Sequence, residues 1–318
     1  MESGQSLKRR MKSVQNIGQI TKAMELVEAT KMRKSQELAL GSRPYAYTAL
    51  ELLGTLSNLT ANSDGSIPIP AILQERPVEK TAFLIMTSDK GLAGSFNSSV
   101  FRKFEQFVKI NNINTRDPKY SFITVGQKAK SYLEHRGMPV AQSFLRLGDL
   151  TEMEEANPIS EFLIAGYMKH DFDEVTLFST NFVNALRQEV FIRQVLPVSF
   201  EKIKESIQLL IPESGKYSQY LAVSAVSEEK KKNVDYIIEP SAKEVLEELA
   251  PVLLKIRVYH AILEANASEH SARRVAMKNA SDNASELSEK LTMIYNKSRQ
   301  AAITNQIIEV TSGAQALN

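Results

Sequence analysis

The sequence predicts an α/β protein in which an N-terminal and a C-terminal helix pair as an antiparallel coiled coil, with an α/β domain inserted between them. Three observations predict it. From Val252 to Ser312 there is neither glycine nor proline, the two residues that most often break helices. Apolar residues recur at spacings of three and four at both ends of the chain. In the middle, short apolar runs alternate with helical patterns, the order expected of βαβ units and a parallel sheet. The boundaries read as residues 1–60 for the first coiled-coil helix, 75–239 for the α/β domain and 240–318 for the second coiled-coil helix.

The first helix shows its seam as Leu7, Met11, Val14, Ile17, Ile20, Met24 and Val27. Only Gly18 interrupts residues 5–40. Gly41 and Pro44 predict a bend, and the pattern resumes through Leu59 until the turn cluster Asn62-Ser63-Asp64-Gly65-Ser66 and the prolines Pro68 and Pro70. In the inserted domain, Thr81–Thr87, Tyr120–Val125 and Glu174–Ser179 read as strands, with Phe191–Val198, Tyr217–Val226 and Val234–Glu239 as further candidates. Ser98–Ile110, Gln127–Arg136 and Asn157–Lys169 carry helical periodicity between them. Glu228–Lys232 is a short charge run of the kind a solvated loop carries.

The last helix opens at Pro240-Ser241, where Ser241 and Glu244 have capping-box spacing. Pro251 predicts a local kink, and Gly313 stands where a C-cap glycine is expected. A helix of about 60 residues is roughly 90 Å long, against about 30 Å for a small domain. It must protrude, and its apolar seam needs a partner helix. That seam reads Val245, Leu249, Val252, Ile256, Tyr259 and Leu263, then Ala276, Ala280, Ala284, Leu287, Leu291 and Ile294. This is coiled-coil periodicity with breaks, and its alanines let two backbones approach closely.

Apolar residues make up 43% of the 318 and charged residues 24%, which supports a packed core and excludes wholesale disorder. Net charge is only +2 but unevenly placed. Residues 1–36 hold eight Lys/Arg against three acids, and residues 241–318 hold nine of each. The basic excess at the N-terminus points to an acidic partner surface there. The absence of cysteine excludes disulfides, thiol catalysis and thiol redox switching. No run of 18 apolar residues exists to span a membrane.

Candidate chemistry is sparse. Ser88-Asp89-Lys90-Gly91-Leu92-Ala93-Gly94-Ser95 joins a strand to a helix, where a glycine loop can cradle phosphate. It lacks both the P-loop and the dinucleotide-fold patterns, so a tight strand-to-helix turn is the simpler reading. His135, His170, His260 and His270 have no metal-ligand spacing. No Gly-x-Ser-x-Gly elbow is present. The basic cluster Lys8-Arg9-Arg10-Lys12 lacks the interleaved aromatics of a single-strand nucleic-acid binder. The residues therefore point to a structural subunit without catalytic, cofactor or metal residues. The alternatives are a nucleotide-binding α/β enzyme and a basic coiled-coil nucleic-acid binder.

Three stretches carry a family resemblance. Arg10-Met11-Lys12-Ser13-Val14-Gln15-Asn16-Ile17, Ile20-Thr21-Lys22-Ala23-Met24-Glu25-Leu26-Val27 and Lys31-Met32-Arg33-Lys34 resemble the first helix of F-type ATP synthase gamma subunits. Ser88-Asp89-Lys90-Gly91-Leu92-Ala93-Gly94 resembles the loop opening their α/β domain. Ala272-Arg273-Arg274-Val275-Ala276-Met277-Lys278, the run from Tyr295 to Thr304, and Ser312-Gly313-Ala314 are similar to their C-terminal helix. The resemblance covers nearly the whole chain and implies an antiparallel coiled coil with an inserted Rossmann-like α/β foot.

It further implies a rotor shaft without its own active site or cofactor. Such a shaft stands in a ring of three alpha and three beta subunits, with a foot on the epsilon subunit and the c-ring. It is peripheral to the cytoplasmic face of a bacterial cell membrane and couples proton-driven rotation to ATP synthesis, reversibly with hydrolysis. By the same resemblance Lys22 and Met24 lie near acidic beta loops. Arg299, Gln300 and Thr304 match residues that hydrogen-bond a beta catch loop, and Asp89, Lys90, Gly91 and Gly94 belong to the foot-domain loop. Gln306 stands where many relatives carry Glu, and Ala93 replaces a common Cys. The stretch 203–232 is longer than in many compact members, and the absence of cysteine rules out the dithiol regulation of chloroplast forms.

Overall fold

A computed structural model describes residues 4–62, 70–184, 187–198, 239 and 241–315. The chain falls into two compact units, residues 1–29 with 273–318, and residues 30–272. Two long helices, α1 (Gly4–Asn62) and a C-terminal helix (Ala242–Gln315), contribute to both.

The larger unit is built on a five-stranded sheet. Its elements in chain order are a 3₁₀ turn (Ala71–Leu73), β1 (Thr81–Met86), α2 (Phe96–Ile110), β2 (Tyr120–Val125), α3 (Gln127–His135), β3 (Val140–Phe144), α4 (Met153–Met168), β4 (Glu174–Phe182) and β5 (Gln188–Leu196). The C-terminal helix is α5. The strand order is β3-β2-β1-β4-β5. The first four strands run parallel and β5 pairs antiparallel to β4.

Period-two alternation decides which face each side chain takes. On β1, Phe83 and Ile85 point to one core with Phe122, Phe178, Val100 and Phe104 and the α3 residues Ala129 and Leu133. Ala82, Leu84 and Met86 point to the other, closed by α4 and by Leu246, Ala250, Leu253, Leu254, Val258 and Ile262 of α5. Both faces are covered, as a parallel sheet requires. The first core is aromatic, with Phe83 packing edge-on against Phe104 and Phe178 at 6.2 and 6.1 Å between ring centres.

The expected strands Thr81–Thr87, Tyr120–Val125, Glu174–Ser179 and Phe191–Val198 are present with small shifts at their ends, and so are the three helices. Strand β3 was not foreseen. Val140-Ala141-Gln142-Ser143-Phe144 is an edge strand with two exposed residues, so it carries no apolar run. Helix α4 starts at Met153, earlier than the expected Asn157, because Glu152 and Glu155 form a reciprocal capping box. Tyr217–Val226 and residues 234–238 of the last candidate strand lie outside the described residues.

Helix α1 runs unbroken through Gly41 and Pro44, and α5 through Pro251. Helix α5 ends two residues beyond Gly313. At its start, the Glu244 amide donates to Ser241 Oγ at 3.2 Å, and that hydroxyl donates to Glu244 Oε1 at 3.0 Å.

In the smaller unit, Gly4–Ala29 of α1 pairs antiparallel with the part of α5 from Arg273. Met11 meets Thr292, Gly18 meets Ala284, and Glu28 meets Arg273. The interface on α1 is Leu7, Met11, Val14, Gly18, Thr21, Glu25 and Glu28, alternating steps of four and three. Facing it on α5 are Met277, Ala284, Ser288, Leu291, Tyr295 and Ser298. The heptad spacing is as expected, but the seam lies one position round from part of the expected set. Ile17, Ile20 and Val27 are 51, 60 and 51% exposed, and Leu287 and Ile294 also face out. Small residues explain the choice. A Cβ placed on Gly18 would sit 3.3 Å from the Ala284 Cβ, so the helices close where Gly18 and Ala284 allow it.

Candidate functional site

The loop after β1 lies where an open α/β sheet holds a ligand, at the carboxyl ends of the strands beside the reversal of strand order. Its geometry is that of a brace. The first amides of α3 would otherwise lack partners. Instead Gln127 N–H donates to Asp89 Oδ1 at 2.8 Å, Lys128 N–H to the Ser88 carbonyl at 3.1 Å, and Ala129 N–H to Thr87 Oγ1 at 2.8 Å. Asp89 Oδ2 also accepts from Arg146 N–H at 2.9 Å. The first three amides of α3 are therefore already bonded, and the loop serves as their cap. Asn97 of α2 closes the loop, accepting from Ser88 N–H at 3.0 Å.

Gly126 belongs to the same construction. Its φ is +92°, and a Cβ there would lie 2.1 Å from the Thr87 carbonyl oxygen, so only glycine fits. Gly94 also holds a positive φ of 56°, and Leu92 beside it holds 63° while its side chain is exposed. A cavity of about 30 Å³ remains under the loop, lined by Met86, Gly126, Ile262 and Asn266 among others. It has room for about one water molecule, since α5 occupies the crevice.

Lys90 approaches Asp149 at 3.8 Å, and Lys31 of α1 bonds the same carboxylate at 2.7 Å. Burial pushes the Asp149 carboxyl up. The bond and charge of Lys31, with the charges of Lys90 and His270, outweigh it and hold the group below its ordinary range. No spacing pattern marks this cluster, because its members come from four separate segments. The same is true of Thr87 and Asn97.

The other sequence-predicted residues lie on the helix pair. Lys22 is exposed and bonds Glu25 at 2.8 Å. The hydrogen bond and charge of Glu25 raise the Lys22 pKa, with Asp282 of α5 adding to it. Met24 is half-buried. Arg299, Gln300 and Thr304 are exposed, and the Thr304 hydroxyl donates to the Gln300 carbonyl at 2.9 Å. The structure does not bring the two groups together. Lys22 lies by Asp282, and Arg299 is 17 residues further along α5, about 25 Å at 1.5 Å per residue. From Arg299 to Ser312 every residue of α5 is exposed, including Ile303, Ile307, Ile308 and Val310.

Beside Lys22 is a polar layer that the apolar spacing does not show. The hydrogen bond of Lys22 leads the effects that lower the Glu25 pKa, with Lys278 and Arg274 adding theirs against burial. Glu28 pairs with Arg273 at 3.4 Å, with 8 and 4% of their side chains exposed.

A family profile described as ATP synthase matches residues 3–317. The ATP synthase gamma chain of Herpetosiphon aurantiacus is 38% identical over the full length of both chains, and that of Desulforamulus reducens is also 38% identical over the full length of both. Among solved structures, a chain of the Euglena gracilis mitochondrial ATP synthase, in a structure described as OSCP/F1/c-ring, superposes with a TM-score of 0.60 at 17% identity. The match covers 99% of this chain and 94% of that one. A chain of the Tetrahymena thermophila mitochondrial ATP synthase, described as central stalk/c-ring, gives 0.55 at 24% identity over 82 and 99%. With a family profile spanning nearly every residue and relatives at 38% identity from end to end, the chain belongs to the ATP synthase gamma chain family.

Proposed function

We propose that the chain is the central rotor shaft of the F1 sector of a rotary ATP synthase. It couples proton-driven rotation of the c-ring to conformational change at the catalytic sites of the beta subunits, and so to ATP synthesis, reversibly with hydrolysis. Catalysis belongs to the beta subunits, and this chain supplies no catalytic residue. The observation that carries the reading is the end-to-end match to gamma chains. The helix pair is consistent with it. A shaft needs long continuous helices, and α1 and α5 are 59 and 74 residues long.

The partners are a ring of three alpha and three beta subunits, the epsilon subunit and the c-ring. Residues 1–60 and 240–318 serve as the shaft and 75–239 as the foot. Lys22, Met24, Arg299, Gln300 and Thr304 are the contacts with beta. Exposure of Lys22 and of the three α5 residues leaves them open to a partner. A shaft biases one beta conformation only through contacts that differ between conformations. In the foot loop, Asp89, Gly91 and Gly94 shape the turn and Lys90 joins Asp149. Among the described residues no helix is long and apolar enough to cross a membrane. The complex sits at the cytoplasmic face of a bacterial cell membrane, with this chain attached peripherally through the c-ring.

Co-expression with matching alpha and beta subunits tests the proposal. The expected product is a 3:3:1 complex whose ATPase activity requires this chain. Alpha–beta assemblies whose activity ignores it would overturn the rotor reading.

A further inference from the structure

Within the larger unit the two long helices are held to the sheet in different ways. Helix α5 lays Leu246, Leu253, Val258 and Ile262 into the apolar core on one face of the sheet. Among the described residues α1 contributes nothing to either core. It is bonded through polar groups instead. Lys31 Nζ donates to Asp149 Oδ2 at 2.7 Å, and one helical turn further on Ser35 Oγ donates to the Asp149 carbonyl at 3.5 Å. Both contacts end on one residue of the turn between β3 and α4.

That turn is itself fastened to α5. Asn266 Nδ2 donates to Thr151 Oγ1 at 3.0 Å, and the Tyr259 hydroxyl donates to the Thr151 carbonyl at 3.2 Å. His270 Nε2 lies 3.4 Å from the Asp149 carbonyl. Tyr259, Asn266 and His270 follow at spacings of seven and four, so they share one face of α5. Lys90, from the loop after β1, stands 3.8 Å from Asp149 Oδ1. Asp149 therefore sits where α1, α5 and the loop after β1 meet. Ser35 and His270 are buried there, and the carboxylate is 39% exposed.

The difference matters for a load that turns the helices. Side chains interlocked in a close-packed core fix the angle of a helix. In α1 that task falls to directional bonds, which weaken steeply once misaligned. Side chains reach about 5–6 Å from a helix axis, so turning α1 by about 20° moves the Lys31 ammonium about 2 Å and opens its pair with Asp149.

We propose that Asp149 is a torque anchor, a positioning residue that locks α1 to the inserted domain so that turning force passes to α1 as well as to α5. The proposal rests on the rotor reading. It gives Asp149 no contact with the beta subunits and no part in their chemistry.

The test uses the complex of this chain with alpha and beta subunits, the ring fixed to a surface. The chain has no cysteine, so Lys109→Cys on the exposed side of α2 gives one attachment point for a light-scattering rod on the inserted domain. The angular variance of the paused rod rises as the shaft softens. The pair is partly exposed and the carbonyl contacts remain, so Asp149→Ala and Lys31→Gln are each expected to raise the variance about 1.5-fold. Asp149→Glu, which keeps the charge, is expected to restore the wild-type variance. ATP hydrolysis by the complex should stay within about twofold throughout, because no beta contact is altered. A merely structural role would lower the melting temperature and leave the variance unchanged. If Asp149→Ala fails to assemble, Lys31→Gln decides, since it breaks the same bond from α1. Rotation with unchanged variance in Lys31→Gln would overturn the anchor and leave the rotor reading intact. A wild-type complex that hydrolyses ATP without turning the rod would overturn the rotor reading and the anchor with it.

Discussion

Replacing Glu28 by Gln removes the charge facing Arg273 in the helix pair. The two groups are 3.4 Å apart and nearly covered. At an effective dielectric constant of 20, the gross attraction at that distance is about 5 kcal/mol. Breaking a buried pair from one side costs about 3–5 kcal/mol, because the remaining charge stays desolvated. Both residues make further interactions, which lowers the expected net cost to about 2–4 kcal/mol. Hydrogen exchange on the full chain reads this locally. Protection of amides in residues 11–28 and 273–292 should fall about 30- to 700-fold, since 1.4 kcal/mol is a factor of ten. The companion variant Glu28→Leu with Arg273→Leu should recover most of that protection, because an apolar pair carries no desolvation cost. Loss under threefold for Glu28→Gln, or a double variant as unprotected as the single one, would refute the reasoning.

Three further outcomes follow from the geometry. Gly18→Ala should be nearly neutral in thermal melting: a gain of up to about 1 kcal/mol in helix propensity opposes a Cβ 3.3 Å from that of Ala284. Gly18→Leu should instead cost about 1–3 kcal/mol by overpacking. Gly126→Ala combines a positive φ with a 2.1 Å approach to the Thr87 carbonyl. It should destabilise the larger unit by about 3 kcal/mol or more, seen as a drop in melting temperature and lost protection in residues 126–135. Acid should loosen the segment before β1. Burial pushes the Asp173 carboxyl up, but the Lys80 and Glu79 amides and the Arg76 guanidinium at 2.7 Å outweigh it, so its pKa is lowered. A lowered folded-state pKa gives stability that is complete above the unfolded value near 3.9 and lost as pH falls through the folded value. Asp173→Asn should flatten that part of an acid-unfolding profile, and an unchanged profile would show that the carboxylate is not the sensor.

Much of the fold was legible in residue order because it rests on local rules. Absence of glycine and proline between Val252 and Ser312 made most of α5 legible, and the period-two runs at Thr81–Met86 and Tyr120–Val125 set strands whose two faces both needed cover. β3 was not legible, since a short edge strand with exposed residues has nothing apolar to alternate. The candidate site divides in the same way. The loop Ser88–Gly94 could be placed between strand and helix, but that Asp89 serves the amides of Gln127 and Arg146 depends on segments that meet only in three dimensions.

By itself the sequence determined the element types, the heptad spacing of both terminal helices, the lack of thiol chemistry and the family. The tertiary structure decided which stripe of α1 faces its partner. Periodicity marks an apolar surface but not its contact line, and α1 offers two neighbouring stripes. One carries Ile17, Ile20 and Val27; the other carries Gly18, Thr21, Glu25 and Glu28. Backbone approach selected the second, because Gly18 opposite Ala284 brings the helices closer than branched side chains permit. Its acidic residues then find their partners on α5, and the isoleucines are left exposed.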